Sequence, residues 1–237
     1  RTEIGGNLTD HNHGRVLAAS VNLDVIAVAA PRADGRVRVK SKGYDMDEVS
    51  LDDLDVRDAE KNHSAALVRG TAARFAQLGY RVGGFDAYTT SDVLKGSGLS
   101  SSAAFEVLLG AILNQLYNGG AVSAAVEVAK IAQYAENVYF GKPSGLMDQM
   151  ASSVGGIITI DFADTDKPVI ETVDFDFAAA DHALCIVDTG GNHADLTHEY
   201  AAVPAEMRAV AASLGVTYLR ETSMEALIPA IPALRKA

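Results

Sequence analysis

The sequence predicts an α+β fold in which strands and helices are mixed, and not a doubly wound parallel sheet. Strand-like and helix-like runs alternate along most of the 237 residues. Two strand-like runs near the amino end are joined by a short turn, as in a hairpin. A content of 48% hydrophobic and 22% charged residues is typical of a globular protein. A change in composition over residues 164–180 predicts a boundary between two lobes.

In the first 93 residues, apolar and β-branched runs bounded by Gly, Pro and Asp predict strands, and apolar residues at helical spacing predict one helix. The turn PRADG joins the first two strands into a predicted hairpin. An acidic stretch after them predicts a solvated loop or a short surface helix. The predicted elements are strands 23–30 and 35–41, the acidic stretch 45–60, helix 65–78 and strand 84–93.

After residue 93, a loop with two glycines and three consecutive serines precedes a long apolar helical pattern. The sequence Asn-Gly-Gly at residues 118–120 ends that helix, and a second helix leads into another loop. Two more strand-like runs and a long helix follow. The predicted elements are helices 102–117 and 123–139, a short helix 146–153, strands 156–162 and 183–188, and helix 196–214.

Composition argues against several functional classes. A net charge of −11 argues against a nucleic-acid partner, because phosphate backbones are held by clustered Lys and Arg. The sequence contains no apolar span of 18 residues and no signal-peptide pattern, so we expect no membrane association. The single cysteine, Cys185, favours a reducing compartment, and its apolar neighbours predict a buried thiol. We therefore expect a cytoplasmic protein, and a monomer.

The loop LKGSGLSSS, residues 94–102, predicts a phosphate-binding site. A helix amino terminus leaves N–H groups without partners and has a positive dipole equivalent to about half a charge. Glycines let a phosphate approach the backbone, and hydroxyls donate to phosphate oxygens or ligate Mg²⁺. The alternative is a serine-rich helix cap without a ligand. The loop is neither a Walker A sequence nor GxGxxG, because Gly-Lys-Ser/Thr is missing and Ser101 takes the last glycine position.

Three stretches together resemble the motifs of galactokinases within the GHMP small-molecule kinase family, in the family's order. They are RTEIGGNLTDHNHG at residues 1–14, LKGSGLSSSAA at 94–104 and GKPSGLMDQ at 141–149. The resemblance extends across nearly the whole chain and implies the family's two-lobed fold. We expect a nearly complete amino-terminal lobe, residues 1–175, and a partial carboxy-terminal lobe, residues 176–237, since the family's third, Gly-rich motif is missing from the sequence.

The resemblance also implies roles for individual residues. Asp148 matches the family's catalytic aspartate and Arg1 matches its motif arginine, while Ser102 and Glu136 match its Mg²⁺ ligands. The loop positions implied to hold ATP are Gly96, Ser97, Gly98, Leu99, Ser100, Ser101 and Ser102. The positions implied to contact the sugar are Asn7, Leu8, Asp10, Gly145 and Tyr200.

These roles imply transfer of the γ-phosphoryl group of ATP to the anomeric hydroxyl of galactose with Mg²⁺, giving galactose 1-phosphate. Phosphoryl transfer needs a phosphate cradle, a metal, a cation and a carboxylate near the acceptor, and each has a candidate here. Because a neighbouring Arg1 would favour the ionised form of Asp148, a general base and an orienting, electrostatic residue are alternative roles for that carboxylate.

The sequence departs from the family motifs at three positions. Asn7 stands where glutamate is usual, Leu8 where histidine is usual and Leu94 where proline is usual. Losing one hydrogen bond to a sugar hydroxyl costs about 1–3 kcal/mol, so we expect altered sugar affinity or specificity. A kinase for a related sugar such as N-acetylgalactosamine, a non-catalytic sensor of galactose and ATP, and an inactive fragment of a kinase are the alternatives.

Overall fold

A computed structural model of the chain contains two compact units, each built from both strands and helices. The first unit joins Arg1–Thr2 to Ser20–Gly155, and the second joins Glu3–Ala19 to Gly156–Ala237. The α+β prediction is confirmed. The two units divide this chain by its internal contacts and do not test the lobe boundary at residue 175, which stays a prediction. The structure describes residues 1–6, 8–93, 98–122, 125–187 and 197–233.

The first unit has a four-stranded sheet with helices against it. Val37, Val39, Phe85, Leu109 and Leu113 are each at most 1% exposed and form the centre of the core between strands and helices. The strands of this unit are β3 (Val25–Arg32), β4 (Arg36–Ser41), β5 (Met46–Ser50) and β6 (Gly84–Ser91). Its helices are α1 (Ser64–Gln77), α2 (Ser101–Asn118), α3 (Ala125–Tyr134) and α4 (Met147–Val154), with a π-helix at Ala135–Phe140 and a 3₁₀ turn at Asp58–Glu60.

The strand order in this sheet is β3-β6-β4-β5, which shows that the predicted hairpin is wrong. Strand β6 lies between β3 and β4, antiparallel to the first and parallel to the second. A parallel pair needs a crossover connection, and helix α1 supplies it between β5 and β6. The turn reverses the chain as expected, but β3 and β4 do not pair with each other, because β6, more than forty residues later in the sequence, lies between them.

The acidic stretch 45–60 also differs from the prediction, because it contains strand β5 instead of only a loop or surface helix. Val49 on this strand is fully buried, while Glu48 on the other face accepts from Arg36 and Arg38. Alternation between the two faces therefore lets a strand form although most of its neighbours are acidic.

The predicted helix 123–139 changes character near its end. Helix α3 stops at Tyr134 and the chain continues as a π-helix, whose wider turn is often found at functional sites. Helix α1 packs closely against this segment at Gly70, where an added Cβ would lie 2.8 Å from Tyr139 Cγ and 2.9 Å from Ala135 Cα. The absence of a side chain at Gly70 thus permits the close approach of α1 to the π-helix that contains Glu136.

The second unit also has a sheet. Its strands are β1 (Thr2–Gly5), β2 (Arg15–Ala19), β7 (Ile157–Asp161) and β8 (Val169–Thr172), in the order β1-β2-β7-β8. Strand β2 pairs antiparallel with β7, which pairs antiparallel with β8. Val16, Ile158 and Ile160 are at most 2% exposed and form part of its core. Its other elements are α5 (Thr197–Ser213), α6 (Met224–Ala230), and 3₁₀ turns at Thr9–Asn12, Leu219–Glu221 and Ile231–Ala233.

The predicted strand 183–188 does not form over the residues that the structure describes there. Residues 183–187 have no regular secondary structure, and Asp188 lies outside the described residues. A strand is stable only when a neighbour accepts and donates its backbone hydrogen bonds, and no described strand pairs with this run. Leu184, Ile186 and Cys185 are exposed, so the prediction of a buried thiol is also wrong.

Candidate active site

The start of helix α2 forms the centre of the site. Gly98 and Ser100 adopt positive φ angles of 75° and 59°, and the helix begins at Ser101. Ser100 is the N-cap residue, yet its side chain makes no capping hydrogen bond. The first N–H groups of a helix have no partner within it, so this end presents donors and a positive dipole. The sequence prediction of an anion-binding helix start is consistent with this geometry.

The hydroxyl of Ser100 contacts the predicted catalytic aspartate instead of capping the helix. Ser100 Oγ donates to Asp148 Oδ2 at 2.5 Å, and the Arg1 guanidinium forms an ion pair with Asp148 Oδ1. The backbone nitrogen of Arg1 also donates to Leu99 O at 3.1 Å. Three predicted site residues from distant parts of the sequence, Arg1, Ser100 and Asp148, are therefore in direct contact.

These contacts determine the ionisation of Asp148. Burial alone would raise the pKa of its carboxyl group. The charge and hydrogen bond of Arg1 and the hydrogen bond from Ser100 together outweigh burial, so the pKa of Asp148 lies below its usual value. The side chain keeps 25% of its exposure, and that of Arg1 keeps 14%. Asp148 is consequently an anion at neutral pH, partly open on one side.

The two predicted metal ligands form a second cluster at the same helix start. Ser102 Oγ donates to Glu136 Oε1 at 2.9 Å, and Lys142 Nζ contacts the same oxygen at 2.9 Å. Burial would lower the pKa of Lys142, but the charge of Glu136 and the hydrogen bond to it raise the pKa above its usual value. The π-helix that contains Glu136 turns its carboxylate toward α2, and Glu136 itself is only 1% exposed.

This cluster fits Mg²⁺ better than a metal held wholly by protein. In the part of the chain that the structure describes, no group of three or more His, Cys, Asp or Glu side chains is arranged to hold a metal ion. Mg²⁺ usually takes one or two protein oxygens together with waters and substrate phosphates. Ser102 and Glu136 supply such a pair, and the ammonium of Lys142 at Glu136 Oε1 shows that the position attracts a cation.

Three residues of this cluster were missed by the sequence analysis. Lys142 lies within the stretch GKPSGLMDQ, six residues after Glu136 and six before Asp148, where its charge could have been noticed. Glu106 is a lone acid in the apolar run AAFEVLLG, a pattern that indicates a charged side chain on a buried face. Gln149 follows Asp148 directly, and both Glu106 and Gln149 are fully buried.

The sugar-contacting positions implied by the resemblance lie in different parts of the structure. Gly145 is a partly buried loop residue of the first unit, just before α4. Leu8 and Asp10 belong to the second unit, where Leu8 has a φ of 58° and Asp10 Oδ1 accepts from the N–H of His11 at 3.0 Å. Asn7, Gly96 and Ser97 lie outside the described residues, as does the side chain of Tyr200, whose backbone is in α5.

Comparison with known proteins accounts for the order of these motifs. Residues 66–156 match the GHMP kinases N terminal domain, and residues 1–31 match the galactokinase galactose-binding signature. The chain contains a GHMP kinase N-terminal domain. This domain includes α2, Glu136 and Asp148, while the galactose-binding signature includes Arg1 and the turn at Asp10. The prediction that the chain resembles galactokinases is therefore confirmed.

Curated relatives and a solved structure agree with that resemblance. The chain is 34% identical over 234 residues to the galactokinase of Streptomyces coelicolor, covering 99% of this chain and 60% of the relative. It is 35% identical over 231 residues to a galactokinase of Mycobacterium tuberculosis, covering 93% and 60%. The structure of Lactococcus lactis galactokinase complexed with galactose matches with a TM-score of 0.75 at 24% identity, covering 94% of this chain and 58% of that chain.

The chain spans about 60% of the length of the curated relatives it matches. None of the helices in the described ranges is long and apolar enough to cross a membrane.

Proposed function

We propose that the chain is the phosphate- and sugar-binding part of a galactokinase, which transfers the γ-phosphoryl group of ATP to the anomeric hydroxyl of galactose. One observation carries the proposal. Ser100 and Ser102, two residues apart at the start of α2, bind Asp148 and Glu136 respectively. The proposed catalytic carboxylate and the proposed metal-binding carboxylate are thus tied to one phosphate-binding helix start, as phosphoryl transfer requires.

The helix start supports binding of the ATP phosphates. The backbone N–H groups of Ser101 and Ser102 lie in its first turn, where helical geometry leaves them without partners inside the helix. Gly98 and Ser100, both with a positive φ, lie directly before that end of the helix. We propose the whole stretch from Gly96 to Ser102 as the phosphate-binding loop.

Ser102 and Glu136 would hold Mg²⁺. When bound with ATP, Mg²⁺ neutralises the phosphate oxygens and aligns the leaving group. Lys142 Nζ contacts the same Glu136 oxygen that faces Ser102, so the ammonium and a metal ion would compete for that carboxylate oxygen. ATP and Mg²⁺ are therefore the cofactors that we propose for this chain.

Asp148 would orient the sugar hydroxyl and receive its proton. In the reaction the anomeric oxygen forms a bond to the γ-phosphorus, the bond from that phosphorus to the β,γ-bridging oxygen breaks, and ADP leaves. A carboxylate whose pKa is lowered by Arg1 is a weak base, so proton transfer occurs late, after most of the new bond has formed. Arg1 and Ser100 fix the carboxylate in one orientation throughout.

The sugar site is proposed from the resemblance at Asn7, Leu8, Asp10, Gly145 and Tyr200. Leu8 offers no polar group, so galactose binding should be weaker than with histidine there by about one hydrogen bond, or about 1–3 kcal/mol. We also propose that the protein acts in the cytoplasm as a monomer, with galactose and ATP as its ligands.

The test is sugar-dependent release of ADP from Mg-ATP by the full-length parent protein and by this chain. Galactose, N-acetylgalactosamine, glucose and arabinose form the panel. Turnover with galactose supports the proposal, and preferential turnover with N-acetylgalactosamine would assign the related sugar instead. Saturable binding of galactose and ATP without turnover of any sugar would favour the sensor. Activity of the parent together with silence of this chain would identify the chain as an inactive fragment.

A further inference from the structure

Behind the proposed metal site, Glu136 belongs to a buried polar cluster whose other two members have no role in the proposed reaction. Glu106 on α2, Glu136 on the π-helix and Gln149 on α4 are each at most 1% exposed. Gln149 Nε2 donates to Glu136 Oε2 at 2.8 Å and to Glu106 Oε2 at 3.1 Å. The amide group of Gln149 therefore gives one N–H to each of two buried carboxyl groups.

Two oxygens of this cluster are left without partners. Among the described residues, the buried side-chain atoms with no hydrogen bond include Glu106 Oε1 and Gln149 Oε1. Both atoms are acceptors if Glu106 is ionised, and a buried unsatisfied acceptor costs about 1–3 kcal/mol. Both belong to residues that are already joined through Gln149 Nε2. A proton on Glu106 Oε1 would convert one of the two acceptors into a donor for the other.

The surroundings of Glu106 favour that proton. Burial, followed by the negative charge of Glu136, raises the pKa of Glu106 well above its usual value, although the hydrogen bond from Gln149 and the charge of Lys142 oppose the shift. The charge of Asp148 acts in the same direction as that of Glu136. A protonated carboxyl and an amide can form two hydrogen bonds side by side, N–H to carbonyl and O–H to carbonyl.

We propose that Glu106 and Gln149 are positioning residues, which form a neutral carboxylic acid–amide pair that holds the Glu136 carboxylate with Oε1 toward Ser102. Gln149 occupies Oε2 of Glu136, so Oε1 alone faces the hydroxyl of Ser102. Glu106 in turn fixes the rotation of the Gln149 amide, since its two oxygens would bind the acceptor and the donor side of that amide. This inference rests on the proposed function, in which Glu136 binds the metal.

The two substitutions Glu106→Gln and Glu106→Leu separate this role from others. The amide in E106Q can still accept from Gln149 Nε2 and donate to Gln149 Oε1, so the pair survives without an ionisable group. The leucine of E106L fills a similar volume but removes both hydrogen bonds. Gln149→Leu removes the amide itself and should match E106L.

The first measurement is infrared difference spectroscopy of the chain at neutral pH, which detects the carbonyl stretch of a protonated carboxyl. We expect a carboxylic acid band in the unsubstituted chain that disappears in E106Q. A spectrum without any band lost on that substitution would overturn the proposal. This measurement does not depend on kinase activity, so it remains decisive even if no sugar is phosphorylated.

The second measurement is Mn²⁺ affinity by electron paramagnetic resonance in the presence of ADP, alongside the thermal midpoint of each variant. We expect E106Q to keep its Mn²⁺ affinity within about twofold. We expect E106L and Q149L to lose about tenfold in Mn²⁺ affinity, which is typical when a hydrogen bond that orients a metal ligand is removed. Equal loss in E106Q and E106L would contradict a neutral pair and assign a charged role to Glu106. If the leucine variants fail to fold, the infrared result and the affinity of E106Q decide the question.

Discussion

Replacing Ser100 by alanine and by glycine separates the backbone strain of the phosphate loop from its hydrogen bond to Asp148. Both variants lose a hydrogen bond to a carboxylate, which contributes about 1.5–3 kcal/mol. A non-glycine residue at a φ of 59° costs about 1–2 kcal/mol, and glycine avoids that cost. Glycine loses about 0.4–1 kcal/mol through the greater freedom of the unfolded chain. The glycine variant should therefore be more stable than the alanine variant by about 0.5–1 kcal/mol.

Urea unfolding at neutral pH measures this difference as a shift of the midpoint between the two variants. The matched control is Ser101, one residue later and the first residue of helix α2, which has no positive φ, so glycine should give no gain over alanine there. An S100A variant as stable as S100G, or more stable, would refute the left-handed geometry of the loop and with it the placement of the Ser100 hydroxyl.

Three further predictions concern Lys142, Arg1 and Gly70. Lys142→Met should raise Mn²⁺ affinity at least about fivefold in a titration, because it removes the ammonium that occupies Glu136 Oε1, and even fully hydrated unit charges about 4 Å apart interact by about 1 kcal/mol. Weaker Mn²⁺ binding by this variant would show that Lys142 does not compete with the metal ion for Glu136. Arg1→Met should destabilise the chain at pH 7, because the ion pair lowers the pKa of Asp148 in the folded state and so stabilises the fold above the unfolded pKa of about 3.9. That contribution falls as the pH drops below about 3.9 and through the folded pKa, so a gap in urea midpoints that does not narrow in acid would contradict it. Gly70→Ala should cost about 1–3 kcal/mol in urea unfolding, since its Cβ would overlap the neighbouring helix; an unchanged midpoint would show that the helices can separate.

The elements with strong local patterns were predicted from the sequence with small errors. Helix α2 begins one residue before its predicted start and ends one residue after its predicted end, because its apolar spacing and its glycine stop are both local. The pairing of strands was not predictable in the same way. Whether β4 pairs with β3 or with β6 depends on residues 84–91, which no turn motif between the first two strands can indicate.

In the candidate site, too, residues in local motifs were predicted and contacts between distant residues were not. Asp148, Ser102, Glu136 and the loop were identified because their motifs occur in the order of a known family. The contact of Ser100 with Asp148 occurs at a positive φ of Ser100, which a serine in a glycine-rich loop does not predict from sequence alone. The contact between Glu106 and Gln149 could not be predicted from the sequence, because the two residues are 43 positions apart on different helices.

In the proposed function, Asp148 acts on the hydroxyl of the bound sugar. The most direct test of this role compares the full-length parent protein with the variant Asp148→Asn, measuring galactose-dependent ADP release and galactose binding on the same samples. We expect turnover to fall by about 10²–10⁴-fold with galactose binding largely retained, because the amide keeps the shape of the side chain but neither its charge nor its capacity to accept the proton. Unchanged turnover in this variant would contradict the account.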